Sequence, residues 1–194
     1  MRKRLAIALV LLLAVQARAD EHKVWAAGPY SVSDELGGFT ITSVTGTGLR
    51  EDPIVVTQEF TSSSPVTLVI RAIKLGLTYD DPREFATGTL RIRLETLNNS
   101  GQAWTEFEFE LQERKGQASI FSDGLSFDQR RDDGQNISSD SFASFSRNFE
   151  PYDRLRFTDG RIDPLKTGSF EFMITDFTPR PEFYLVQDPR IPLS

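Results

Sequence analysis

The chain has 194 residues, no cysteine and one histidine, and its 28 acidic residues outnumber its 22 basic residues, which gives a formal net charge of −6 at pH 7. Without a thiol, the chain cannot use cysteine catalysis, thiolate metal ligation or a disulfide. The negative charge opposes contact with phosphate backbones, so we expect no nucleic-acid partner.

The first nineteen residues have the three parts of a secretory signal peptide. Basic residues at 2–4 precede an uncharged apolar run at 5–15, and Ala19 ends a small–x–small motif that predicts cleavage before Asp20. The apolar run is shorter than the roughly 20 residues that a membrane-spanning helix needs. We therefore expect a bacterial protein, periplasmic or secreted, whose mature chain is not inserted stably in a membrane.

In the mature chain, apolar and polar residues alternate in short runs rich in Val, Ile, Thr and Phe. This alternation is typical of β-strands that bury one face. About eight strands are predicted, at Phe39–Val44, Ile54–Phe60, Val66–Ala72, Thr89–Leu97, Ala103–Gln112, Leu155–Thr158, Ser169–Phe177 and Glu182–Val186. Such a series without helical connections predicts one all-β domain over 20–194, an antiparallel β-sandwich of jelly-roll or immunoglobulin-like type.

The clearest alternation lies in two runs on either side of Asn99. Leu90 and Ile92 share one face of the first run, and Phe107 and Phe109 share one face of the second. A hairpin centred on Asn99-Ser100 would pair Leu90 with Phe109 and Ile92 with Phe107 on the buried side. On the other face, the same register pairs arginines with glutamates, which favours it.

The stretch 113–153 differs from the rest of the chain because it is polar and rich in Ser, Asp and Arg. Phenylalanines are spaced through it, at Phe121, Phe127, Phe142, Phe145 and Phe149. So many aromatic residues argue against disorder. We expect a long irregular excursion, with room for one short strand, that its Phe side chains hold against the sheets.

Oxygen donors that suit calcium cluster in the same stretch. They are Asp123, Asp128, Asp132, Asp133 and Asn136. The spacing of an EF-hand is absent, and aspartate-rich loops are also typical of solvated turns. Calcium is the one cofactor for which the sequence offers a candidate site, and no other cofactor is predicted.

Few residues suit catalysis. The one histidine, His22, is the third residue of the predicted mature chain, where a Ser–His–Asp triad or a histidine zinc site is not expected. Gly46 and Gly48 lack the third glycine and the helix of a dinucleotide-binding motif. Carboxylates are numerous, but no two of them stand out as an acid–base pair. We therefore expect that the chain is not an enzyme.

Trp104 is the candidate ligand-binding residue. The alternation of the predicted strand Ala103–Gln112 places it on the outward face with Glu106 and Glu108, where its ring could stack on a sugar. The opposite interpretation is that the ring covers one end of the core, as large aromatic residues often do. Trp25 is expected to pack as a cover near the start of the domain.

The segment Asn98–Leu111 reads Asn-Asn-Ser-Gly-Gln-Ala-Trp followed by alternating Phe and Glu. It resembles a hairpin of exported bacterial β-sandwich proteins that include ectodomains of the PEP-CTERM class, and 124–127 and 183–189 fit the same pattern. The resemblance implies a β-sandwich outside the cytoplasm and no particular activity. Because the Pro-Glu-Pro signal, apolar helix and basic end of that class are missing, it does not imply anchoring.

These observations predict an exported, non-catalytic module that binds carbohydrate or an envelope protein, or that has a structural role. One alternative is a carboxylate-based polysaccharide hydrolase, which a cleft with two carboxyl groups about 5–10 Å apart would favour. Another is a subunit of an envelope assembly. The oligomeric state is not predicted.

Overall fold

The computed structural model describes residues 23–76, 80–120, 122–128, 136–148, 150–177 and 180–192. Within these ranges the chain forms strands, turns and loops, and none of them contains a helix that could cross a membrane. The all-β prediction is confirmed. The predicted signal peptide at 1–19, with its cleavage site between Ala19 and Asp20, lies outside the described residues.

The described residues form thirteen strands rather than the eight predicted. In chain order they are β1 (Val24–Ala27), β2 (Tyr30–Ser33), β3 (Phe39–Thr45), β4 (Ile54–Phe60), β5 (Val66–Ala72), β6 (Thr89–Asn98), β7 (Glu106–Gln112), β8 (Leu125–Phe127), β9 (Ser138–Ser139), β10 (Phe142–Asn148), β11 (Arg154–Gly160), β12 (Thr167–Asp176) and β13 (Glu182–Arg190). All eight predicted strands are present, two with the predicted bounds and six with adjusted ends. The additional ones are β1, β2, β8, β9 and β10, which are short or carry too many Ser and Ala residues to show a clear alternation.

The strands form two sheets. The seven-stranded sheet has the order β1-β2-β5-β13-β7-β11-β10, and the six-stranded sheet has the order β3-β4-β6-β12-β8, with β9 also paired to β12. Strand β4 runs parallel to β6, whereas the other strand pairs are antiparallel. The prediction of purely antiparallel pairing was therefore wrong at one pair.

The predicted hairpin between β6 and β7 does not exist, because these two strands belong to different sheets. Leu90 and Ile92 pair with β12, and Phe107 and Phe109 pair with β11 and β13. All four side chains are nevertheless buried, as predicted. Alternation determines which face of a strand is covered, but it does not determine which strand lies beside it.

The core lies where the inner faces of the two sheets meet. The ring centroids of Phe107 in β7 and Phe170 in β12 are 4.6 Å apart, and those of Phe109 and Phe172 are 4.9 Å apart. Each of these contacts joins one sheet to the other. Aromatic pairs at such distances add to the free energy that the burial of their apolar surface already provides.

The stretch 113–153 is less irregular than predicted, since it contains β8, β9 and β10. Phe127 and Phe142 are buried in the core, and Phe145 is partly buried against it. These three side chains hold the stretch against the sheets in the expected way. Phe121 and Phe149 lie outside the described residues.

Candidate functional site

The sequence-based candidate for ligand binding, Trp104, is a core residue. Its side chain is 0 % exposed, and its ring lies 5.7 Å from the rings of both Phe60 and Phe107. The indole Nε1 donates a hydrogen bond to Ser100 Oγ at 3.1 Å. The ring therefore cannot stack on a sugar, and the prediction of an outward-facing platform was wrong.

The error has a local cause. Strand β7 begins at Glu106, and Trp104 instead forms an isolated bridge with Ile162. The alternation of β7 therefore cannot be extended back to position 104. Asn98 shapes this connection by donating from Nδ2 to Gln102 O at 2.8 Å and to Ile162 O at 2.9 Å.

The described residues of the candidate calcium site form hydrogen bonds with one another and with neighbouring protein groups. Asp123 accepts hydrogen bonds from Ser119 Oγ at 2.6 Å and from two backbone amides of its own loop. Asp128 Oδ2 accepts from Asn136 Nδ2 at 2.6 Å, and Asn136 Oδ1 accepts from Arg91. Among the residues that the structure describes, no three carboxylate, histidine or cysteine side chains come together as a metal site. Asp132 and Asp133 lie outside those residues.

Among the described residues, Asp153 has the carboxyl group with the most strongly shifted pKa, but a substrate cannot reach it. Its side chain is 0 % exposed, Oδ1 accepts a hydrogen bond from Ser126 Oγ at 2.9 Å, and Oδ2 has no hydrogen-bond partner among the described residues. The pKa of Asp153 is raised to about 7, mainly by burial and also by the nearby Asp123 charge, against the lowering effects of the Ser126 hydrogen bond and the Arg147 charge. An enclosed carboxyl group of this kind does not provide the acid–base pair of a polysaccharide hydrolase.

The burial of Asp153 makes the stability of the fold depend on pH. Its pKa rises from 3.8 to about 7 on folding, so the folded protein binds this proton more tightly than the unfolded chain. The contribution of this bound proton to the stability of the folded protein is complete below pH 3.8 and is lost as the pH rises towards 7. We expect the Tm of the native protein to fall across this interval relative to the Tm of Asp153→Asn, which cannot ionise. Calorimetry of both proteins over the pH range measures this, and a difference in Tm that stays constant would contradict it.

An open groove of about 610 Å3 lies where the edges of the two sheets meet. One wall is Trp25 of β1, the edge strand of the seven-stranded sheet, and the other is Phe39 of β3, the edge strand of the six-stranded sheet. The hydroxyl-bearing residues Thr40, Thr61 and Ser62 also line the groove. Apolar rings and hydroxyl groups therefore line the same depression.

Trp25 provides the large aromatic surface of this groove. Its ring is partly buried against the core, and the Lys23 Nζ atom stands 3.3 Å from the ring centroid. The indole Nε1 is buried without a hydrogen-bond acceptor among the described residues. The aromatic face beneath Lys23 is thus covered by a flexible side chain and not by the fold itself.

Asp34 and a glycine turn also line the groove. Asp34 is buried and accepts a hydrogen bond on Oδ2 from the backbone amide of Ile41 at 2.9 Å. Gly37 donates from its backbone amide to Asp34 O at 2.8 Å, with φ of 76°, and Gly38 follows with φ of 89°. Residues that carry a side chain rarely adopt these left-handed backbone conformations. The two glycines therefore allow the chain to turn tightly beside the groove.

Other depressions are less suited to a ligand. A small cavity beside Tyr30 and Asp176 has a volume of about 10 Å3, which holds at most one water. Two open depressions of about 550 Å3, one beside Glu150 and one beside Arg190, have no aromatic side chain among the described residues that line them. We therefore take the groove at Trp25 as the candidate site.

The sequence contained no direct signal for this groove, because Trp25 and Phe39 become neighbours only when the two sheets meet. No protein-family model, curated protein or solved structure matches the chain. The resemblance of the Asn98–Leu111 segment to exported bacterial proteins therefore stays a prediction.

Proposed function

We propose that this chain is an exported, non-catalytic β-sandwich module that binds carbohydrate in the groove between β1 and β3. The observation that carries the proposal is the partly buried Trp25 ring, which lines an open groove together with hydroxyl groups. Export follows from the predicted signal peptide. The sandwich architecture is supported by the ring contacts that join the two sheets, such as that between Phe107 and Phe170.

The groove has the chemistry that a sugar ring needs. A pyranose presents an apolar face of C–H groups and a rim of hydroxyl groups, so it requires a flat apolar surface with polar groups beside it. Trp25 supplies the surface, and Thr40, Thr61 and Ser62 supply hydroxyl groups. The volume of about 610 Å3 lies within the range of roughly 300–1,000 Å3 that is usual for small-molecule sites.

Lys23 acts as a displaceable cover on this surface. Its ammonium group lies over the Trp25 ring, and a cation–π contact at an exposed site contributes only about 0.5–1 kcal/mol. A sugar can therefore replace Lys23 on the ring at a small energetic cost.

Non-catalytic binding is favoured over hydrolysis by the number of carboxyl groups in the groove. Asp34 is the one carboxylate among the described residues that line it, and it holds the Ile41 amide. Glycoside hydrolysis by the usual mechanisms needs two carboxyl groups beside the scissile bond.

An oligosaccharide array that includes neutral and acidic glycans tests the proposal, followed by calorimetric titration with the tightest-binding glycan. We expect Trp25→Ala to weaken binding at least about tenfold because it removes the stacking surface. Val24→Ala is the matched control on the same strand, since Val24 is 56 % exposed and does not line the groove. Lys23→Ala is expected to leave the binding of a neutral glycan unchanged or tighter.

Two results would contradict the proposal. One is a folded protein that binds no glycan on the array. The other is a Trp25→Ala variant that binds the same glycan as tightly as the Val24→Ala control does.

A further inference from the structure

We propose that two copies of this chain associate through β10, with the two strands pairing antiparallel around Phe145 so that the seven-stranded sheets join. The proposal is independent of carbohydrate binding. The groove is at β1, and β10 is at the opposite end of the same sheet.

Strand β10 is an edge strand with one paired side. It pairs with β11 from Phe142 to Asn148, and within the described residues no other strand pairs with it. No backbone hydrogen bond outside this ladder involves residues 142–148 in the described part of the chain. Its outer side therefore presents backbone donors and acceptors to any strand that can align with them.

Four features that commonly protect an edge strand, namely lysine, proline, a bulge and a very short length, are missing from β10. The other edge strands of the two sheets each have such a feature. Strand β1 has only four residues, β8 has only three, and β3 carries a register shift between Ile41 and Ser43. Strand β10 has seven residues, contains neither Lys nor Pro, and pairs regularly from Ser144 to Asn148.

The one charged residue of β10 also leaves the edge available for pairing. Arg147 Nη1 donates to Phe127 O at 3.0 Å and to Asp128 O, so its guanidinium group is directed towards its own chain. It therefore does not place a charge where an incoming strand would lie.

The sequence of β10 is compatible with a second copy of itself. Antiparallel pairing centred on Phe145 places Arg147 opposite Ala143 of the other copy and Ser144 opposite Ser146. No like charges face each other directly, and such charges are what destabilises a strand pair. Phe145, which is only partly buried, would lie across from its counterpart, and each ring would cover the other. The contact uses the same patch on both copies, as a two-fold dimer requires.

Paired charge variants test both the edge and the register. In Ser144→Lys/Ser146→Lys, each new ammonium group faces another across the dimer, so we expect self-association to weaken about tenfold. In Ser144→Lys/Ser146→Glu, opposite charges face each other, and we expect the dimer to be retained. Both positions are half-exposed or exposed, so both variants should fold, which circular dichroism checks.

Sedimentation equilibrium over a wide range of protein concentration is the measurement. A native chain that stays monomeric throughout would overturn the proposal, even if it bound an extended peptide from another protein at β10. Equal self-association of the Lys/Lys variant and the native chain would also overturn it. Glycan binding by the two variants should match that of the native chain, which separates failure of this proposal from failure of the proposed function.

Discussion

Replacing Phe107 by alanine is expected to lower the free energy of unfolding by about 3–5 kcal/mol, the range for truncating a fully buried phenylalanine. The side chain is 0 % exposed, and its ring contacts Phe60, Trp104, Phe109 and Phe170 at centroid distances between 4.6 and 6.2 Å. Because these partners belong to both sheets, they cannot all move inward to fill the space. A cavity would remain. Its free-energy cost adds to the favourable free energy of transferring the ring out of water, which the substitution removes.

The neighbouring residue Glu108 provides the control. Its Oε1 lies 2.9 Å from Arg190 Nη2 and 3.8 Å from Arg154 Nε, on the outer face of the same strand. Both arginines are substantially exposed and have other acidic partners, Asp188 and Glu110. We expect Glu108→Ala to cost only about 0–1 kcal/mol. Chemical denaturation of the two variants compares the free energies directly, and equal shifts would mean that the faces of β7 are assigned incorrectly.

Replacing Gln58 by leucine is the second change with a large expected effect, a loss of at least about 2 kcal/mol. Gln58 of β4 and Gln187 of β13 form a reciprocal pair between the two sheets, with amide nitrogen to oxygen distances of 2.6 and 3.1 Å. Gln58 Nε2 also donates to Thr96 Oγ1 at 2.8 Å, and all three residues are buried. The single substitution would leave the Gln187 amide buried without its partner, which costs about 1–3 kcal/mol for each unsatisfied group.

A double-mutant cycle separates this mechanism from a simple change in packing. In Gln58→Leu/Gln187→Leu no amide is left unpaired, so we expect much of the lost stability to return. The double variant should therefore lose clearly less free energy of unfolding than the sum of the losses of the two single variants, as measured by denaturation. Strictly additive losses would contradict the idea that the amide pair joins the sheets.

Much of the strand content was predictable because it depends on local patterns. The predicted bounds of β4 and β5 match those of the structure, and Leu90, Ile92, Phe107 and Phe109 are buried as predicted. Strand β10 was missed because Ala, Ser and Asn residues obscure its alternation. The candidate site was predicted less well, since Trp104 lies in the core and Trp25 lines the groove.

The amino-acid sequence by itself determined that the chain has no thiol chemistry, that its strands alternate buried and exposed faces, and that Leu90, Ile92, Phe107 and Phe109 are buried. Only the tertiary structure decided that β6 and β7 belong to different sheets, that Trp104 is enclosed, and that Trp25 meets Phe39 across a groove. The physical reason is the range of the interactions. Solvent exposure alternates with each residue along one strand, whereas strand neighbours and grooves arise from contacts between segments that are far apart in the chain.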